Sequence, residues 1–130
     1  MRMNPIDCAL AAALVCSAAG CNNDSTVPTQ NPGGSTGGAT IVINSSGVSS
    51  QSVTVVPGAQ VTFVNNDSQP HEILSDPHSG HSDCPEINQV GVIQPGNNRQ
   101  TGNLTIARTC GFHDERNPSN ASMRGTIRIQ

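Results

Sequence analysis

An all-β sandwich or barrel is the fold class this sequence predicts, and three observations predict it. From Thr40 onward, short apolar runs alternate with polar residues and are divided by turn pairs such as Pro57-Gly58 and Pro95-Gly96. Nowhere does an i, i+3, i+4 apolar stripe persist for the ten or more residues that a helix needs. The chain has no Trp, no Tyr and two Phe, so its core must be built from Val, Ile and Leu, a composition that favours strands.

Taken in order, the pattern gives seven short strands. Thr40 to Asn44 alternates Ile41 and Ile43 on one face, and Ser52 to Val56 follows up to the turn at Pro57-Gly58. Gln60 to Asn65 sets Val61, Phe63 and Asn65 against Thr62 and Val64, then breaks at Asn66-Asp67-Ser68. His71 to Leu74 is short, and Val90 to Ile93 precedes Pro95-Gly96. Leu104 to Ala107 leads into Cys110, and Thr126 to Ile129 closes the run. No internal repeat is visible.

The first 39 residues have a different texture. Residues 1–21 read as a secretory leader: Arg2 begins it, and the apolar run from Cys8 to Ala19 is too short for a stable bilayer anchor. It ends Ala18-Ala19-Gly20-Cys21, which resembles the bacterial lipoprotein cleavage box. That resemblance implies a lipid on Cys21 and a cell-envelope location, periplasmic or outer-surface. Residues 22–39 are Gly, Ser, Thr, Asn, Pro and Gln with almost nothing to bury, the composition of a flexible tether. One folded domain, 40–130, remains, with room for a modest core.

Composition removes several function classes. The net charge is −3, Lys is absent and no basic cluster exists, so no nucleic-acid surface is expected. There is no nucleophile elbow and no phosphate-binding glycine loop, since Pro32-Gly33-Gly34 belongs to the tether; the chain does not read as an enzyme.

The residues with distinctive chemistry lie near the end. Cys110, His113 and Met123 fall close together in sequence, with His71 as a second imidazole at the end of the run Val61-Thr62-Phe63-Val64. Two imidazoles, a thiolate and a weak axial thioether form the ligand set of copper electron-transfer sites, acceptable to both Cu(II) and Cu(I). Met123 is the only Met left beyond the leader.

Two stretches resemble the cupredoxin family, blue copper proteins of the plastocyanin and azurin kind. Val61 to His71 resembles the strand and turn that deliver the first His ligand. Cys110-Gly111-Phe112-His113, followed by Met123-Arg124-Gly125-Thr126-Ile127, resembles the second ligand loop and closing strand. The resemblance implies a Greek-key β-sandwich with copper held by His71, Cys110 and His113, with Met123 axial. It also implies a monomeric single-electron carrier serving redox partner proteins of the cell envelope. The sequence departs from that pattern in a long His113 to Met123 loop, in Glu72 where Asn is common, and in Arg108 where an aromatic is usual. The segment Ser75 to Cys84 departs too, carrying His78, His81 and a second domain cysteine.

That second cysteine opens an alternative from a different class. Two cysteines in a small exported domain commonly form a disulfide. If Cys84 pairs with Cys110, no thiolate remains, and His71, His78, His81 and His113 are left to make an imidazole-only site for copper or zinc, or none. The function is then a non-redox metal-binding module with a His-rich loop. Asp76, Asp83 and Glu86 are expected only to keep that loop in water.

Overall fold

The structure, a computed structural model, describes residues 38–130. The expected leader, Cys21 and nearly all of the tether lie outside the described residues. Among the described residues there are nine strands and two single 3-10 turns, and no α-helix. The strands are β1 (Thr40–Asn44), β2 (Gly47–Val48), β3 (Ser52–Val55), β4 (Thr62–Asn65), β5 (His71–Ser75), β6 (Gly91–Ile93), β7 (Asn98–Gln100), β8 (Arg108–Asp114) and β9 (Arg124–Ile129). They form two mixed sheets, ordered β2-β1-β4-β7 and β3-β9-β8-β5-β6. β1 runs parallel to β4, and β3 runs parallel to β9. The all-β sandwich expected from the alternation is therefore what forms.

The core follows from the same period of two. Ile41, Ile43 and Phe63 of the first sheet face Ile73, Phe112, Ile127 and Ile129 of the second, all at most 2 % exposed. With aromatic residues so scarce, the two rings are spent together: Phe63 and Phe112 meet edge to face at the centre, with centroids 5.2 Å apart. Val61, Ile87, Val90, Ile93 and Leu104 close the layer around them.

Three local differences from the sequence pattern have physical causes. The strand expected over Leu104 to Ala107 is only an isolated bridge from Leu104 to Ala59; Thr105, Ile106 and Ala107 are exposed, and regular pairing begins at Arg108. Two strands carry no apolar signature that could announce them. β2 is two residues long, and β7, Asn-Arg-Gln, is a fully exposed edge paired only with β4. The turn at Pro95-Gly96 forms as expected, with Gly96 at φ 78°, where an L side chain is strained.

β8 fixes the positions of most side chains with distinctive chemistry. It lies between β5 and β9, with Cys110 opposite Ile127, His113 opposite Arg124 and, on its other side, Ile73 opposite Asp114. Cys110, Phe112 and Asp114 point into the sandwich. Gly111 and His113 point outward, and so does Glu115, whose N–H extends the ladder to the Glu72 carbonyl at 2.7 Å.

Phe63→Ala removes one ring of the Phe63–Phe112 pair from a close-packed centre, so it should destabilise the domain by about 3–5 kcal/mol, read from the denaturant midpoint of unfolding. A loss below about 1 kcal/mol would contradict the packing described.

Candidate metal centre

The four residues expected to meet around copper do not meet. Cys110 is bonded to Cys84 in a disulfide, with Cα atoms 5.7 Å apart and both residues fully buried, so no thiolate is available. His113 lies three residues from Cys110 on the same extended strand, and an odd spacing sends the two side chains to opposite faces of the sheet. His71 shares the inner face with Cys110 but not its level. It lies two residues beyond the Ile73 pair and Cys110 lies four before Asp114, so they are about 20 Å apart along the strands at about 3.4 Å per residue. Met123, buried in a 3-10 turn just before β9, continues the register level with Asp114 and packs in the core. The expectation that Cys110 and His113 sit in a ligand loop is corrected by their place within β8.

What the register brings to His71 is Asp114. His71 Nδ1 lies 2.8 Å from Asp114 Oδ2, and Nε2 lies 3.0 Å from Asp67 Oδ2. Both ring nitrogens face carboxylates, an arrangement fully satisfied when both carry protons. Asp114 Oδ1 also accepts from the Glu72 and Arg116 amides at 3.0 and 3.2 Å. Asn65, buried on β4, shapes the turn that presents Asp67. Its Nδ2 donates to the Gln69 and Ile93 carbonyls, and its Oδ1 accepts from the Asp67 amide. The His71 hydrogen bond, followed by that from the Ser68 amide, holds the Asp67 carboxyl below its ordinary value of 3.8. His71 is a structural lock between the β4–β5 turn and β8.

A different set of ligand atoms does converge, on the outer face of β8. His78 Nδ1, His81 Nε2 and His113 Nε2 lie 3.0, 3.1 and 3.0 Å from one atom, Glu115 Oε2. One ligand atom from each of these four residues lies within 4.8 Å of all the others. The three rings crowd together, with centroids 5.5 to 6.1 Å apart. His113 forms the floor, with no side-chain exposure, while His78 at 52 % forms the solvent side. The three imidazoles lower the carboxyl pKa of Glu115, the bond from His113 most strongly.

The loop that carries His78 and His81 is held at its base. Asp76 donates its N–H to the Gly111 carbonyl at 3.0 Å and accepts from the Asp83 amide at 2.8 Å. Asp83 Oδ2 accepts the Gly111 N–H at 2.9 Å, and the Cys84 amide donates to Ser75 Oγ at 2.7 Å. Asn88 of the 3-10 turn Ile87–Gln89 ties both sides, donating to the His81 carbonyl and accepting from the Ser75 amide. The disulfide then fastens the loop's end to the strand that bears His113. Ser79 and His81 sit at φ 75° and 49°, left-handed conformations costing about 1–3 kcal/mol each, and these anchors offset that cost.

The acids expected only to solvate this loop are thus specific partners. Asp76 Oδ1 lies 2.7 Å from His113 Nδ1, Asp83 binds the Gly111 amide, and Glu86 pairs with Arg108 at 2.9 Å. Glu115 and Asp76 were not legible as site residues in a linear reading. The available signal was parity, since His113 and Glu115 are two apart on one strand and must share a face.

No protein-family model matches the chain, and no curated protein matches it. Solved structures do. A purple cupredoxin from Nitrosopumilus maritimus aligns with TM-score 0.55 at 18 % identity, over 71 % of this chain and 99 % of that one. A mutant plastocyanin of fern aligns at 0.56 and 21 %, over 71 % and 100 %. Amicyanin from Paracoccus versutus aligns at 0.57 and 15 %, over 72 % and 81 %. At such identities the likeness defines architecture: this chain has the cupredoxin fold, as its sequence resemblance implied.

The lowered Asp67 carboxyl sets an acid dependence. Because the folded value lies below 3.8, the His71–Asp67 contact contributes its stability in full above about pH 4 and loses it as pH falls through the folded value. Asp67→Asn should flatten the acid limb of a stability–pH curve between about pH 2 and 4. An unaltered acid limb would remove Asp67 from this role.

Proposed function

We propose that this chain is a metal-binding module built on the cupredoxin fold, holding one divalent transition-metal ion, copper(II) foremost, through His78, His81, His113 and Glu115. The observation that carries this reading is the convergence of three imidazole nitrogens on one carboxylate oxygen at 3.0–3.1 Å. Imidazole suits copper, zinc and nickel, and among divalent ions the affinity order places copper above zinc. The donor chemistry fits such an ion: three neutral nitrogens and one anionic oxygen, with the cluster open to solvent at His78.

Among the described residues no sulfur reaches the site, because Cys110 and Cys84 are bonded to each other and Met123 is turned into the core. A nitrogen and oxygen set favours Cu(II) over Cu(I), so the ion is held rather than cycled. Electron carriage of the kind expected from the sequence needs the Cys110 thiolate, which the disulfide consumes.

Bound to Cu(II), the full chain should take up one equivalent, give a pale complex without the intense visible band of a copper–thiolate bond, and show nitrogen hyperfine structure in its paramagnetic resonance. His113→Ala should abolish binding, and the His78→Ala/His81→Ala double substitution should weaken it at least tenfold while folding is retained. An intensely blue complex, or binding that survives His113→Ala, would sink the proposal.

The setting we infer is the bacterial cell envelope, supported by the leader-like residues 1–21 and the small-residue box before Cys21. In a bacterial host, labelled fatty acid should be incorporated into the chain and be lost in Cys21→Ser; labelling unaffected by that change would reject the anchor.

A further inference from the structure

We propose that Asp76 is a positioning residue for this metal centre, its carboxylate holding the Nδ1 side of His113 so that Nε2 is presented to the ion. The assignment rests on the proposed metal-binding function. Among the described residues, His113 is the one cluster imidazole with a side chain at each ring nitrogen: Asp76 Oδ1 at Nδ1, 2.7 Å away, and Glu115 Oε2 at Nε2. It is also the fully buried ring, so water cannot take over the outer nitrogen.

Two further observations point the same way. The residue between Cys110 and Phe112 is glycine, and a Cβ built on Gly111 would land inside the Asp76 carboxylate, 2.8 Å from its Cγ. Absence of a side chain at that place is what lets the carboxylate reach His113. The other oxygen, Asp76 Oδ2, faces the Arg124 guanidinium at 3.5 Å, and Arg124 stands directly across from His113 in the β8–β9 ladder. A cation at that distance helps orient the carboxylate beside a buried ring.

A role limited to anchoring the loop does not account for the carboxylate. The backbone of Asp76 does that work already, through its N–H to Gly111 and its carbonyl from Asp83. The side chain touches His113 and Arg124 and closes nothing further. An outer carboxylate of this kind fixes the imidazole tautomer with the proton on Nδ1 and raises the basicity of the ligating nitrogen, and losing one typically weakens metal binding 10- to 100-fold.

The test uses the full chain with Zn(II), which is silent in magnetic resonance, and two readouts. Calorimetric titration should show Asp76→Ala binding zinc about 10- to 100-fold more weakly than wild type, with Asp76→Asn, which still offers an acceptor oxygen, recovering part of the loss. Long-range proton–nitrogen spectra of the zinc-loaded wild type should show a proton on His113 Nδ1, and that signal should broaden or vanish in Asp76→Ala. If Asp76→Ala does not fold, Gly111→Ala, which pushes the carboxylate away, should weaken zinc in the same direction. Wild-type binding with an unchanged affinity in Asp76→Ala and Gly111→Ala, or an unprotonated Nδ1, overturns the role of Asp76 alone. A wild type that takes up no zinc and no copper overturns the metal reading and this assignment with it.

Discussion

Strand β8 is paired with β9 from Arg108 to His113 and with β5 from Phe112 to Asp114, so its backbone is held extended. An extended chain so constrained must send successive side chains to opposite faces. That rule separates Cys110 from His113, even though they are three residues apart, and joins His113 to Glu115. It gives the inner face a disulfide, an aromatic ring and the Asp114 carboxylate, and gives the outer face a gap at Gly111, an imidazole and a second carboxylate. Each feature of the metal centre and of the His71 lock derives from this division.

The two faces then solve different electrostatic problems. On the inner face, His71 and Asp114 are almost entirely removed from water, and their polar atoms are matched there: His71 meets two carboxylates, and Asp114 meets His71 and two backbone donors. On the outer face the carboxylate of Glu115 stays partly hydrated and shares its oxygen among three rings. A divalent ion with nitrogen and oxygen ligands belongs in the second environment, where the approach from solvent is open and the floor is rigid.

Much of the architecture was legible in the residues. The alternation of Ile41 and Ile43, and of Val61, Phe63 and Asn65, announced strands with one buried face, and the scarcity of aromatic residues announced a core of branched aliphatics around one ring pair. The site was less legible because ligand order along the chain carries no information on register. Cys110, His113 and Met123 stand in a familiar order, yet pairing of β5 with β8 sets Asp114 opposite Ile73, where its carboxylate reaches His71, and leaves Cys110 far from that ring. The disulfide was visible as an alternative, from two cysteines in a domain expected to be exported, but choosing it required knowing that the loop from Asp76 to Cys84 folds back onto β8. Edge strands such as β7, polar at every position, left no trace in the pattern at all.

The left-handed turn at His81 and the anchoring of its loop by Gly111, Asn88 and Ser75 have a thermodynamic consequence. Ordering a mobile segment normally subtracts from the affinity of whatever it closes upon, by an amount that grows with the number of side chains immobilised. Here that entropy is surrendered once, during folding, while Glu115 holds the three rings together through one oxygen. On the proposed metal-binding reading, a cation arriving later finds the cage already assembled, so its capture is governed by shedding water rather than by gathering up a loop.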